Sequence, residues 1–382
     1  MRIAHISDVH LGYRAYARLT PEGVNQREDD VFGAFERVLV DVTGRNVDLI
    51  VIAGDMFHTV RPSNLVIQKT FRLFSRFRRK YDTPIVIVGG NHDTPKSTDA
   101  GCILDLFPDA FEHVYVRHHG YEGLGFDGLG CRVYCLPYFA LHERNTQVRP
   151  AEGGGVNVLA LHGTVRGVAY GMHDPVQLDP GELYFDEWNY IAVGHYHIRT
   201  EIAPNCFYSG ATEYTSTNIW EEARGPSKGY LIYDSEGPEV EVHGTPGLRE
   251  VHDLAPLAAE DLCGEEIMGA IETQLAGLNG LQDRIVRVVV DGIPRSIQRD
   301  LDWGRLRELK SQAMHLELAL RPPARAGQAA ADGVAGSSRP LEVEWREFAE
   351  ALEGLPRGID PKRLSALGSQ YLAKAAEEEA KL

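Results

Sequence analysis

Residues 191–200 read IAVGHYHIRT, an apolar run that stops on Gly194 and then offers His195 and His197 with one tyrosine between them. In extended backbone, residues two apart point to the same side, so both imidazoles can approach one point. A half-buried strand can carry such a pair for packing alone. What decides between these readings is whether other apolar runs end the same way, and four do. RIAHIS is followed by Asp8 and His10, and VDLIVIAG by Asp55 with His58 three residues on. PIVIVGG leads into Asn91, His92 and Asp93, while VNVLALH ends on His162. Up to about residue 250 these runs alternate with helix-like segments and Gly-rich loops, the pattern of a layered α/β fold. In such layers, sites form at the carboxyl ends of the strands.

Loops favour Gly, Asp and Asn, so Asp8 and Asp55 alone would pass as turn residues. The recurrence of histidine at these ends is not explained that way. Isolated histidines such as His113, His118 and His119 read instead as surface or packing residues. Carboxylate, imidazole and carboxamide donors suit manganese, iron or zinc, and the lack of cysteine among them argues against a structural zinc knot. Seven such donors exceed the needs of one ion but suit two ions sharing a carboxylate. A pair about 3.5–4 Å apart polarises a phosphoryl oxygen and holds a hydroxide for in-line attack, which points to phosphoester hydrolysis.

The bulk properties set limits on this reading. A chain of 382 residues with 43% hydrophobic and 25% charged content is that of a globular protein with about two to three folding units. No apolar stretch approaches the roughly twenty residues of a membrane span, and the N-terminus reads as a strand and not a signal peptide. Five cysteines without a CxxC pair, Cys131 and Cys135 among them, read as free thiols in a cytoplasmic protein. The net charge of -16 argues mildly against a nucleic-acid partner. One basic segment, KTFRLFSRFRRKYD at 69–82, puts Phe71 and Phe74 on one helical face and Lys69, Arg72, Arg76 and Arg79 on another.

Beyond residue 250, HDLAPLAAEDLCGEEIMGAIETQLAGL at 252–278 reads as helical and RIVRVVVDGIP as a strand. RDLDWGRLRELKSQ then reads as a helix and AMHLELALR as a strand, giving a second αβ unit over 251–320. The Pro-, Ala- and Gly-rich stretch 321–340 reads as a flexible linker. Two amphipathic helices are expected within 341–382: Trp345, Phe348 and Leu352 form the stripe of the first, and Leu364, Leu367 and Tyr371 that of the second. Asp360 is the N-cap of the second, with Pro361 at its first helical position. A tethered pair of this kind is placed to dock on another chain.

SDVH, GDMFH, GGNHD, LHG and GHYH, in that order, resemble the five signature blocks of the calcineurin-like metallophosphoesterases over the first 210 or so residues. HLGYR after the first block, REDD opening the first helix and RPSN after GDMFH narrow the resemblance. They are similar to the nuclease subunits (SbcD) of SbcCD-type DNA double-strand-break repair complexes, which work with an SMC-like coiled-coil ATPase of the SbcC type. The resemblance implies a four-layer α-β-β-α sandwich over 1–250, a capping DNA-binding domain over 251–320 and a C-terminal helical ATPase-docking tail. It implies Asp8, His10, Asp55 and His197 around one ion and Asp55, Asn91, His162 and His195 around the other, with Mn2+ as the metal. His92 would stabilise the transition state or protonate the leaving 3' oxygen, Asp93 would orient His92, and His58 would assist DNA processing. The implied activity is a manganese-dependent 3'-5' exonuclease and single-strand endonuclease acting on DNA. A homodimer is implied as well, with SNLVIQKTFRLFSRF at 63–77 as a candidate surface. The competing readings are a dinuclear-metal phosphodiesterase or phosphatase for a small nucleotide or phosphoprotein, and a scaffold without catalysis. All seven expected ligands and His92 are present, which argues against the scaffold.

Overall fold

The run Leu49–Ala53 is apolar at every position because the strand is covered on both faces, as in buried parallel sheets. Leu49 and Val51 face a second sheet, while Ile50 and Ile52 face helices. Its sheet has the order Glu241–Gly244, Gly229–Asp234, Arg2–Ile6, Leu49–Ala53, Ile85–Val88, Val114–Arg117. The last four strands are mutually parallel, so Arg2–Ile6, Leu49–Ala53 and Ile85–Val88 end at the same edge. The second sheet runs Thr200–Ala203, Cys206–Tyr208, Tyr190–Gly194, Val156–His162, Cys131–Leu136, Glu122–Phe126. Its parallel register sets Gly194 opposite His162, which brings His195 beside His162. Ile3, Val51 and Val88 of the first sheet interlock with Val133, Val158 and Ala192 of the second to close the core between them.

This computed structural model describes residues 1–95, 100–142, 148–150, 155–168, 176–237, 240–323, 345–346, 348–349 and 360–379, in two compact units, Met1–Arg321 and Pro322–Leu382. The helices Gln26–Thr43, Asn64–Arg78 and Leu106–Ala110 cover the outer face of the first sheet through Phe35, Val38, Phe74, Phe77 and Phe107. The phenylalanines of the basic segment are therefore core, with Phe71 packed partly buried against the same cluster. The outer layer on the second sheet is built from 3₁₀ turns at Tyr138–His142, Pro180–Leu183 and Phe185–Glu187, with Leu183 and Trp188 sealing the sheet. The stretch 120–130 is a hairpin arm, Glu122–Phe126 pairing antiparallel with Cys131–Leu136. Cys131 and Cys135 are buried free thiols.

Each residue of REDD has a partner. The Asn25 side chain caps the helix by accepting from the Arg27 and Glu28 N–H groups at 3.1 and 3.3 Å. Arg27 is fully buried, 3.0 Å from Asp30 and 3.3 Å from Glu213, and donates to the Tyr214 carbonyl at 2.8 Å. Removing one partner of a buried ion network leaves a charge without compensation. Arg27→Met is expected to lower stability by about 3–5 kcal/mol in urea unfolding, and a loss below about 1 kcal/mol would show the network to be dispensable.

Residues 251–320 carry a third sheet. Val251–Asp253, Leu257–Ala258 and His315–Leu320 all pair parallel to Ile285–Asp291. Ile267, Ile271, Val288, Leu306 and Leu316 give it a core of its own. One expectation is corrected here: within 252–278 the only α-helix is Gly264–Ala276. The residues before it are held in short strands by pairing with Ile285–Asp291, and that tertiary pairing overrides local helix preference. The second tail helix spans Pro361–Glu379, and the Asp360 side chain accepts from the Lys362 N–H at 3.0 Å. Most of the expected linker, and all of the first tail helix except 345–346 and 348–349, lie outside the described residues. Trp345 donates from Nε1 to the Ser365 carbonyl at 2.9 Å, while Phe348, Leu367 and Tyr371 are 60%, 50% and 68% exposed. Among the described residues, no helix is long and apolar enough to cross a membrane.

Candidate metal centre

Because five parallel strands end at one edge of the two facing sheets, their terminal residues meet there. Asp8, His10, Asp55 and His195 all take left-handed backbone, with φ of 51°, 53°, 50° and 104°. Non-glycine residues adopt this conformation at a cost that the surrounding structure must offset, and such positions cluster at functional sites. Here it turns each side chain sharply off its strand into the common space. Two glycines make room. A Cβ on Gly54, itself at φ 90°, would lie 2.0 Å from His162 Nδ1, and one on Gly90 would lie 2.1 Å from the Asp55 carboxylate.

The side chains form two groups that meet at Asp55. Asp8, His10 and His197 make one metal-competent cluster and Asp55, His162 and His195 another, and a third, His10, His58 and His92, shares His10 at the edge of the first. His10 Nε2 faces His197 Nε2 at 3.0 Å, and His162 Nε2 faces His195 Nδ1 at 3.2 Å. Asn91 Oδ1 lies 3.0 Å from that His162 nitrogen and 2.9 Å from that His195 nitrogen. The Asp55 Oδ2 atom is 3.3 Å from His162 Nε2 and 3.6 Å from His10 Nε2. The ring nitrogens turned away from the centre are fixed by the protein. His162 Nδ1–H donates to the Ala53 carbonyl at 2.9 Å, and His197 Nδ1 lies 3.3 Å from Thr215 Oγ1 and 3.4 Å from Glu222 Oε1. Such outer hydrogen bonds set the tautomer and leave the inner lone pair for a cation. Ring nitrogens that face one another across about 3 Å, two of the four rings being tied to acceptors on their outer sides, form a donor set that fits divalent ions.

Electrostatics agree with that fit. Burial opposes charge on His162, yet the facing Asp55 carboxylate outweighs it and pushes the imidazole up to about 9. Burial likewise works against the Asp55 anion, but His162 and His10 hold it well below the usual carboxylate range. Burial holds His10 well below the ordinary imidazole range despite Asp55, and it also lowers His58, with His92 adding to the effect. The anionic centre thus draws positive charge even from a proton on one of its own imidazoles.

Three further residues line the edge of this centre. The His92 N–H donates to Asp55 Oδ1 at 2.9 Å, and its Nδ1–H donates to the His58 carbonyl at 2.9 Å, leaving Nε2 as the free ring position. Its ring stands 4.8 Å from that of His10 and stacks at 5.2 Å on that of His58. His58 Nδ1 is 3.4 Å from His10 Nδ1. Asp93, expected to orient His92, makes its carboxylate contacts with backbone amides. Its carboxylate accepts from the Met56, Phe57 and Gly90 N–H groups at 2.7, 3.4 and 2.8 Å, so it ties together the loops after two strands, while the His58 carbonyl orients His92. Burial, then Asp55, pushes Asp93 up to about 7.

A cleft of about 400 Å³ opens over the centre between His92, His195, Ile198 and the segment Thr215–Asn218. A larger cavity of about 790 Å³ lies beside Asp30, Arg249 and Asp283, where Arg249 pairs with both carboxylates and, among the described residues, no metal-competent group gathers. The smaller cleft is the chemically equipped one. Sequence reasoning missed Ser7, which donates to Asp8 Oδ2 at 2.6 Å, and it missed Thr215, Glu222 and Lys228 around His197. Ser7 could have been found as the neighbour of a strand-end aspartate. The other three follow no strand end and carry no local signal.

A family model described as calcineurin-like phosphoesterase matches residues 1–201, a span that takes in all seven strand-end donors. The chain belongs to the calcineurin-like phosphoesterases. It is therefore a phosphoesterase-class enzyme, and the two facing sheets with metal-competent side chains at their shared edge are the form that fold takes here. The phosphoesterase is 26% identical over 255 residues to the DNA double-strand break repair protein Mre11 of Methanocaldococcus jannaschii, covering 63% of this chain and 64% of that one. It is 26% identical over 253 residues to the protein of the same name from Thermoplasma acidophilum, covering 62% and 63%. With the Haloferax volcanii protein of that name, identity is 27% over 301 residues, covering 76% and 61%. The match spans a little under two thirds of the length of these relatives.

Proposed function

We propose that this phosphoesterase is a manganese-dependent DNA nuclease, cutting as a 3'-5' exonuclease and a single-strand endonuclease in double-strand-break repair. The observation that carries the reading is the meeting of two donor groups at Asp55 beneath one cleft, with His92 at its edge. Two Mn2+ ions held by Asp8, His10, Asp55 and His197, and by Asp55, Asn91, His162 and His195, would supply Lewis-acid polarisation and an activated water. The chain's own residues do the rest. His92, its Nδ1–H committed to the His58 carbonyl, holds a proton at Nε2 for the leaving 3' oxygen. His58 stacks on His92 and keeps that ring over the cleft.

Support for DNA as the substrate comes from the relatives, whose names place them in double-strand break repair, and from two surface features. Lys69 and Arg76 on the Asn64–Arg78 helix pair with Asp29 and Glu36, whereas Arg72 and Arg79 have no carboxylate partner among the described residues and flank a groove of about 420 Å³. The 251–320 unit, which we read as a DNA-binding cap, exposes Trp303 next to Arg307, a pairing suited to stacked bases and phosphates. The test is a panel with Mn2+ containing linear duplex DNA, single-stranded DNA, a cyclic nucleotide and a phosphopeptide. Degradation of the DNAs is expected; turnover confined to the cyclic nucleotide or phosphopeptide would establish the phosphodiesterase or phosphatase reading instead.

The exposed Phe348, Leu367 and Tyr371 support 341–382 as the docking segment for an SMC-like coiled-coil ATPase, working with a homodimer of this chain in the cytoplasm. Deleting 341–382 is expected to leave manganese-dependent cutting intact and to abolish co-elution with the ATPase on size-exclusion chromatography. Undiminished co-elution would reject the docking role.

A further inference from the structure

The short helix Ile219–Arg224 has two faces with different neighbours. On one, the Glu222 carboxylate is buried and serves three groups: it accepts from the Ser216 N–H at 2.7 Å, lies 3.4 Å from His197 Nδ1, and pairs with the buried Lys228 ammonium. Lys228 Nζ donates in turn to the His197 carbonyl at 2.7 Å. With Thr215 Oγ1 3.3 Å from the same Nδ1, the pair therefore holds His197 by both ring and backbone. A buried ion pair costs desolvation that an apolar pair of the same volume would not, so its presence calls for a use. Fixing Nδ1–H of His197, so that Nε2 is turned toward His10 and Asp8, is such a use.

On the other face, Ile219 and Trp220 pack with Ile285 and Met314 of the 251–320 unit. The Arg287 guanidinium sits 4.9 Å over the Trp220 ring, and Arg224 and Arg287 both pair with Asp253. One turn and a half of helix thus touches the 251–320 unit with one side and a metal-facing imidazole with the other.

We propose that Glu222 is the positioning residue of His197, and that its helix makes this positioning depend on how the 251–320 unit is seated. The inference rests on the two-metal reading of the site. A residue acting only through another changes metal affinity at one position and leaves the second alone, whereas a merely structural residue changes both together or neither.

The test is Mn2+ titration of the full-length protein by electron paramagnetic resonance, which counts free and bound ions without turnover, beside thermal melts that establish folding. Glu222→Leu with Lys228→Met removes the acceptor and both charges at nearly constant volume. It is expected to weaken one of the two Mn2+ sites about 10–100-fold and to spare the other. Glu222→Gln with Lys228→Met returns an acceptor oxygen to His197 and is expected to recover most of that loss. Arg287→Met, remote from the cleft, is expected to weaken the same site about 3–10-fold. If the Leu/Met protein does not fold, Glu222→Asp, which draws the carboxylate back from His197 while keeping the partner of Lys228, replaces it under the same expectation. Parent affinity at both sites, or equal weakening of both, in the folded Leu/Met protein or in the Glu222→Asp protein that replaces it would overturn the positioning role, and parent affinity in Arg287→Met would overturn the dependence on the 251–320 unit. A parent protein that binds fewer than two Mn2+ would instead overturn the two-metal reading itself.

Discussion

Asp55→Ala is expected to release both metal ions and to lower turnover by at least about 10³-fold, the equivalent of roughly 4 kcal/mol of lost transition-state stabilisation. Its carboxylate lies within reach of both donor clusters, 3.3 Å from His162 and 3.6 Å from His10. The other oxygen anchors the His92 backbone at 2.9 Å, so the residue also sets the distance between the metal ligands and the proton donor. Alanine tolerates the left-handed φ of 50° less well than aspartate, and the strain of that backbone would add to the lost ligand. Asp55→Asn separates the two contributions, since it keeps the turn and an oxygen for His92 while removing the charge. Metal content after gel filtration and the rate on linear DNA are the measurements. A variant that still held two ions after Asp55→Ala would remove this residue from the shared position.

His92→Ala is expected to give the opposite pattern: two bound ions, nearly unchanged KM and a kcat lower by about 10²–10⁴. The ring is not held by the donor atoms that face the centre. It hangs from the His58 carbonyl by Nδ1–H, and its backbone N–H, which alanine retains, is what contacts Asp55. Loss of the side chain therefore removes a proton carrier and leaves the ligand geometry standing. The readout is single-turnover cleavage beside Mn2+ stoichiometry. Parent-like kcat would show that the leaving oxygen takes its proton from elsewhere.

The donors were legible in the sequence because each is tied to a local event. An apolar run ends, the backbone turns, and a polar side chain occupies the turn; Asp8, Asp55, Asn91 and His195 obey this rule, while His162 is the last residue of its strand. Parallel pairing then does the assembly, because strands sharing a register end together. The αβ character of 251–320 was readable from the same periodicities, but its first strands were not. Val251–Asp253 and Leu257–Ala258 are strands only because Ile285–Asp291 is there to pair with them.

What the sequence by itself determined is the chemistry: which side chains stand at the strand ends, their order, and that carboxylate, carboxamide and imidazole donors are present in numbers that suit two cations. Only the tertiary structure decided how those side chains are held. Asp93 adjoins His92 in the chain, yet its carboxylate goes to the amides of Met56 and Gly90, and the carbonyl of His58 orients His92 in its place. Glu222 and Lys228 reach His197 from 25 and 31 residues away, Glu222 from a helix whose other face packs on the 251–320 unit. Strand ends are written locally, in periodicity and turn residues. Hydrogen bonds between segments distant in the chain have no period to read, and they exist only once packing has brought a donor and an acceptor within 3 Å.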